Sequence, residues 1–110
     1  MFLIAFTCAV ASVSSAGNFQ CSDRTQVQLA GVRPVASATA SAAPALTEQK
    51  LRCQGFDSNG PGHLIATCRF ADGTFVGCTM VAKGFATEAL DRKRHYGLPT
   101  CAERKAAMGA

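Results

Sequence analysis

Short apolar runs alternate with breaks containing Gly, Pro or Asp along most of this chain, a rhythm that suits strands joined by tight turns. Leu64, Ile65, Ala66 and Cys68 form an apolar run of strand length behind the turn cluster Asn59-Gly60-Pro61-Gly62. Leu51-Arg52-Cys53 begins a strand before that cluster, so the two runs read as a β-hairpin. Asp72-Gly73 marks the next tight turn. Thr74-Phe75-Val76 then reads as a short strand, and Cys78, Met80 and Val81 as the apolar face of a short helix. Gly84 stands where that helix would take a left-handed C-terminal cap. Earlier, Val27, Leu29 and Gly31 alternate with Gln26, Gln28 and Ala30 as in a half-buried strand, and Asp23-Arg24 sits where a hairpin turn belongs.

The remaining stretches are less patterned. Pro34 to Ala45 is Ala, Ser and Thr with two prolines and no charge, apart from Arg33 just before it, and reads as a linker. Phe85 to Leu90 alternates apolar and polar residues. The basic run Arg92-Lys93-Arg94-His95 follows, read as a solvated loop, and Tyr96-Gly97-Leu98-Pro99 breaks any helix. Thr100 to Met108 is the last expected helix, with Thr100 and Glu103 spaced as a capping box and Gly109 as its closing cap.

A chain of 110 residues is enough for one small domain. Residues 1–16 read as a secretory signal, with Phe2–Ala11 as the apolar core and Ser14-Ser15-Ala16 as the small-residue end. No Lys or Arg precedes Arg24, so the usual basic start is missing. The run is too short for a membrane anchor, which needs about 20 apolar residues. This places the protein outside the cytosol, secreted or periplasmic, with residues 17–110 as the mature domain. Disulfides suit so small a domain in an oxidising compartment. Cys53 and Cys68 flank the Gly60-Pro61 turn almost symmetrically, so a hairpin sets them side by side as the first expected pair. Cys78 and Cys101, tying two helices, are the second, and Cys21 is left over. The cysteines never form C-x-x-C, and no Cys/His spacing matches a zinc site. The net charge of +4 permits an anionic partner without requiring one.

Leu51-Arg52-Cys53, Pro61-Gly62-His63, Ala66-Thr67-Cys68, Asp72-Gly73 and the run from Met80 to Ala86 stand in order like the V-x-C, Y-G-R, A-x-C, D-G and M-V-x-x-G-x-A motifs of the staphylococcal-nuclease-like (thermonuclease) family. Phe19 to Val32 is similar to that family's F-x-C-x-D-G-x-x-I-R-L-x-G-I stretch, and Tyr96, Glu103, Ala106 and Gly109 echo its terminal helix without the closing Trp. The chain thus resembles a truncated, degenerate member. The resemblance implies an α+β, mainly β fold: an OB-type, five-stranded Greek-key barrel with two short C-terminal helices. It implies that the barrel lacks its first strand, because the leader-like segment runs straight into the second.

Family members hydrolyse phosphodiesters with calcium, which needs carboxylates on the metal, a Glu to activate water and two Arg on the phosphate. Position by position the resemblance puts Gln28 at the first catalytic Arg, Arg33 at a metal Asp, Ala36 (or Val35 with a one-residue gap) at the Glu and His63 at the second Arg. The D-G-D-T motif with the other metal Asp has no counterpart. Losing one preorganised charge-stabilising donor typically costs about 10²–10³ in rate, and Arg33 would repel the cation. The expectation is therefore a thermonuclease-like protein without catalysis and without a cofactor, binding nucleic acid through Arg92, Lys93, Arg94 and Tyr96. Two alternatives stand beside it. One is a weak calcium-dependent endonuclease working through His63, although a residue after Pro-Gly is ordinarily a solvent-facing turn position. The other is a non-enzymatic interaction protein or decaying gene product whose missing strand would expose two sheet edges.

Overall fold

The computed structural model describes residues 3–109, with side chains up to Lys105; Met1, Phe2, Ala110 and the side chains beyond Lys105, that of Ala106 included, lie outside the described residues. The first strand, β1 (Ile4–Ser15), is the longest element. It is followed by β2 (Asn18–Cys21), β3 (Gln26–Leu29), β4 (Val32–Pro34), a 3₁₀ turn (Ala36–Ala38) and α1 (Thr39–Leu46). The second half carries β5 (Lys50–Gly60), β6 (His63–Arg69), α2 (Val76–Ala82), β7 (Ala86–Glu88), α3 (Leu90–Tyr96) and α4 (Cys101–Gly109).

Five strands close into a barrel in the order β1-β2-β3-β6-β5. β1, β2 and β3 pair antiparallel in sequence, β5 pairs antiparallel with both β1 and β6, and a parallel β3–β6 ladder completes the ring. The architecture is α+β, mainly β, and consistent with an OB-like barrel. β4 and β7 form a separate antiparallel pair. Closure removes the free sheet edges of a broken barrel.

The expected missing first strand is corrected here: the segment read as a leader is β1. Cys8 and Val10 are buried while Thr7 and Ala11 are exposed, and the strand finds partners on both sides. Small and β-branched apolar residues serve an export core and a barrel strand equally well; only the partner strands distinguish the two. Cys21 is not left over, because it is bonded to Cys8 across the β1–β2 pair. Cys53 and Cys68 face each other in the β5–β6 register and are bonded, and the Cys78–Cys101 bond ties α2 to α4. Among the described residues no cysteine is free.

Three other expectations change. Pro34 to Ala45 is no linker: it forms the 3₁₀ turn and most of α1, whose Ala42 and Leu46 are fully buried. Ala42 fits because a small side chain lets the helix come close to the barrel, and the backbone bonds Glu48 N–H to Val10 and Val10 N–H to Gln49 then anchor its end on β1. Thr74-Phe75-Val76 is not a strand; one bridge joins Phe75 to Arg69, and Val76 already begins α2. Val76 and Met80, four residues apart and both fully buried, have helical rather than strand spacing. The basic run is also no loop but most of α3, closed by Gly97 at φ 69°. No helix among the described residues is long and apolar enough to cross a membrane.

Candidate functional site

β3 alternates so that Val27 and Leu29 enter the barrel core and Gln28 turns outward. Outside the barrel, Gln28, Arg33, Ile65, Arg92 and Tyr96 line a cleft of about 140 Å³, floored by the Ala30-Gly31 backbone. Its polar groups are held in place. Asn59 Nδ2 donates to Gln28 Oε1 at 2.6 Å. Tyr96 Oη donates to Asp57 Oδ2 at 3.1 Å, and its ring meets Phe56 edge-on with centroids 4.9 Å apart. Burial, reinforced by the Asp57 carboxylate, pushes the Tyr96 phenol above its ordinary value, so the hydroxyl stays a donor. Arg33 Nη2 donates to both oxygens of Asp91, at 3.0 and 2.9 Å. Desolvation is the largest influence on Asp91 and raises its carboxyl, but the bond and charge of Arg33 together hold it below the usual value.

The basic run divides by helical geometry. Arg92 and Tyr96, four residues apart, face the cleft. Arg94 is exposed and does not line it. Lys93 points the other way and is only 4% exposed, which corrects its place among the nucleic-acid contacts. Its Nζ donates to Glu88 Oε2 at 2.6 Å and lies 3.4 Å from Cys101 Sγ. Its stem crosses Gly31 so closely that a Cβ there would come within 2.5 Å of Lys93 Cγ. Glu88 Oε2 also accepts the Cys101 N–H at 2.7 Å, tying the start of α4 to the same ion pair.

The other positions expected from the resemblance are scattered. His63 is exposed at the start of β6, opposite Gln26 in the parallel register, and does not line the cleft. Ala36 is exposed on the 3₁₀ turn. The β1–β2 turn, Ser15-Ala16-Gly17-Asn18, carries no carboxylate; Asn18 Nδ2 donates to Ser15 Oγ there at 2.9 Å. Among the described residues no three His, Cys, Asp or Glu side chains are grouped to share a metal ion. Calcium takes about 6–8 oxygen ligands, and Arg33 with Gln28 offers a cation and an amide instead. The residues present do not fit that ion.

The sequence singled out Arg92 and Tyr96 as nucleic-acid contacts, and Gln28 and Arg33 as substituted positions implied by the resemblance, but not the groups that hold them. Asp57, Asn59 and Asp91 act across 39, 31 and 58 positions of chain, so no local pattern announced them. One signal was available for Lys93: Ala89 and Lys93 are spaced as a buried helical stripe. No protein-family model and no curated protein matches the chain.

Proposed function

We propose that this chain is a secreted or periplasmic, thermonuclease-like protein on an OB-type Greek-key barrel, without catalysis, that binds a nucleic-acid strand in the cleft between β3, β4 and α3 and needs no calcium to do so. One observation carries the reading: two guanidinium groups, Arg33 and Arg92, share a cleft with a fixed aromatic ring, Tyr96. Guanidinium forks match phosphate oxygens, and an aromatic face accepts a base of any identity. The neighbouring carboxylates are already engaged, Asp91 by Arg33 and Asp57 by Tyr96. The strand order, with a parallel pair closing the ring, supports the OB-type part of the reading. Three disulfides favour an oxidising compartment.

The loss of hydrolysis follows from the donors in place. Gln28 and the exposed His63 supply no permanent fork at the two Arg positions, Ala36 supplies no base, and Arg33 sets a positive charge where a cation would sit. The test is fluorescence anisotropy of a labelled single-stranded oligonucleotide, run with calcium and with chelator, followed by recovery of the oligonucleotide on a gel. Saturable binding indifferent to chelator and an intact oligonucleotide are expected. Tyr96→Ala should weaken binding by about tenfold, the value of one base–aromatic stack. Chelator-sensitive cleavage, lost in His63→Ala, would replace this reading with the weak endonuclease. No binding even at low salt would remove nucleic acid as the partner.

A further inference from the structure

A second cationic cluster is built from residues that do not line the cleft. Arg69 at the end of β6 and Arg104 on α4 both place their guanidinium carbons over the ring of Phe75, 4.6 and 3.6 Å from its centroid. Arg52 stands opposite Arg69 in the β5–β6 register. Arg33 and Lys93 each have a carboxylate partner, yet among the described residues none of Arg52, Arg69 and Arg104 has one. Arg104 Nε is buried and makes no hydrogen bond. The acid in the adjoining turn, Asp72, is occupied by the backbone N–H and hydroxyl of Thr74, at 3.0 and 2.7 Å. Burial first, then the like charge of Arg69, lowers the Arg104 guanidinium from its ordinary value; the Glu88 carboxylate, already bonded to Lys93 and the Cys101 N–H, offsets only part of this. Like charges gathered on one ring without a directly bonded carboxylate are costly, and an anion accepting from both forks would relieve that cost.

Arg104 also borders an apolar groove of about 430 Å³ between α2 and α4, floored by Phe75, Cys78, Thr79 and Ala82, with Lys105 at its rim. That volume is within the range of small-molecule sites. The groove offers little hydrogen bonding: of its two hydroxyls, that of Thr74 is already donated to Asp72, which leaves only Thr79. A base stacked on Phe75 would have to compete with the guanidinium groups already over its ring. A polar sugar or nucleobase would therefore be desolvated there with little return, whereas an unbranched hydrocarbon chain would not.

We propose that the groove between α2 and α4 binds a single-chain amphiphile, its anionic head on Arg69 and Arg104 and its apolar tail along Phe75, Cys78 and Ala82. The site stands on residues other than those of the nucleic-acid cleft and does not depend on that reading. The test is calorimetric titration of decanoate, below its micelle concentration, into the disulfide-bonded protein. Saturable binding of one decanoate per chain is expected. Arg69→Gln should weaken it about tenfold, as the loss of one charge-assisted hydrogen bond does. Arg69 is exposed, so this variant leaves the core intact; Arg104→Gln, checked for folding by circular dichroism, should weaken binding at least as much. Decanol and inorganic phosphate should each bind far more weakly than decanoate. The proposal is overturned by any of four results: no saturable binding, equal affinity for decanol, unchanged affinity in Arg69→Gln, or displacement of decanoate by the oligonucleotide.

Discussion

Lys93 shows how far a residue's surroundings decide its role. In the sequence it is one of four consecutive basic residues; in the fold it is a buried ammonium held by Glu88, over a glycine that leaves it room. Desolvation is the largest influence on the Glu88 carboxyl and raises it, but the bond and charge of Lys93 and the Cys101 N–H outweigh this and hold it below its ordinary value of 4.5. A carboxyl depressed in the folded state contributes stability that is present above that ordinary value and lost as pH falls through the folded value. Glu88→Gln should therefore destabilise the protein at neutral pH by about 2 kcal/mol, since it leaves a buried charge unpaired. It should also flatten the loss of stability below about pH 4.5. Urea denaturation of both proteins at neutral and acid pH measures both effects. Gly31 makes the second prediction at this scale. It sits at φ 78°, and a Cβ would strike Lys93 Cγ at 2.5 Å. Gly31→Ala should cost about 2 kcal/mol from the left-handed backbone and the displaced lysine together, read as a lower urea midpoint.

At the scale of elements, β1 is decisive. It pairs with β2 and β5, carries Cys8 into the core and receives the end of α1. A chain starting at Gly17 would lose one of five barrel strands and the Cys8–Cys21 bond, leaving β2 and β5 with open edges. Such a chain is expected to be unfolded or aggregated, whereas the full chain should give dispersed amide signals by NMR; a folded, monomeric 17–110 chain would contradict the role assigned to β1. The paired replacement of Cys8 and Cys21 by serine is a gentler version. It should lower stability by about 3 kcal/mol, the usual value for a loop of this length, measured as a drop in Tm. The hairpin of β5 and β6 was legible in advance because turn residues, apolar runs and symmetric cysteines are local features. α3 was not, because its register depends on what its faces meet: Tyr96 on Phe56 and Asp57, Lys93 on Glu88.

The whole molecule sets the strength of any binding. Seven acidic residues partly offset eleven basic ones, and the cleft itself presents only Arg33 and Arg92. About two phosphate contacts imply a shallow salt dependence for a single strand, with a log–log slope of about −1.4. Anisotropy titrations from low to moderate salt measure it, and a much steeper slope would mean that the path extends beyond the cleft. Arg33 is engaged by Asp91 in an exposed pair, its side chain 58% accessible, so a phosphate can compete for it at small cost.

The amino-acid sequence by itself determined the β-rich character, the turns and the capping box. These are local matters of backbone preference and residue chemistry. Thr100 and Glu103, for example, exchange their expected bonds, each 3.1 Å long. Only the tertiary structure decided that residues 4–15 are a strand, that Cys21 has a partner, and that Lys93 leaves the basic face while Arg92 stays. Each of these turns on a group brought from far along the chain, and burial against such a group changes the free energy of a side chain by more than any local propensity does.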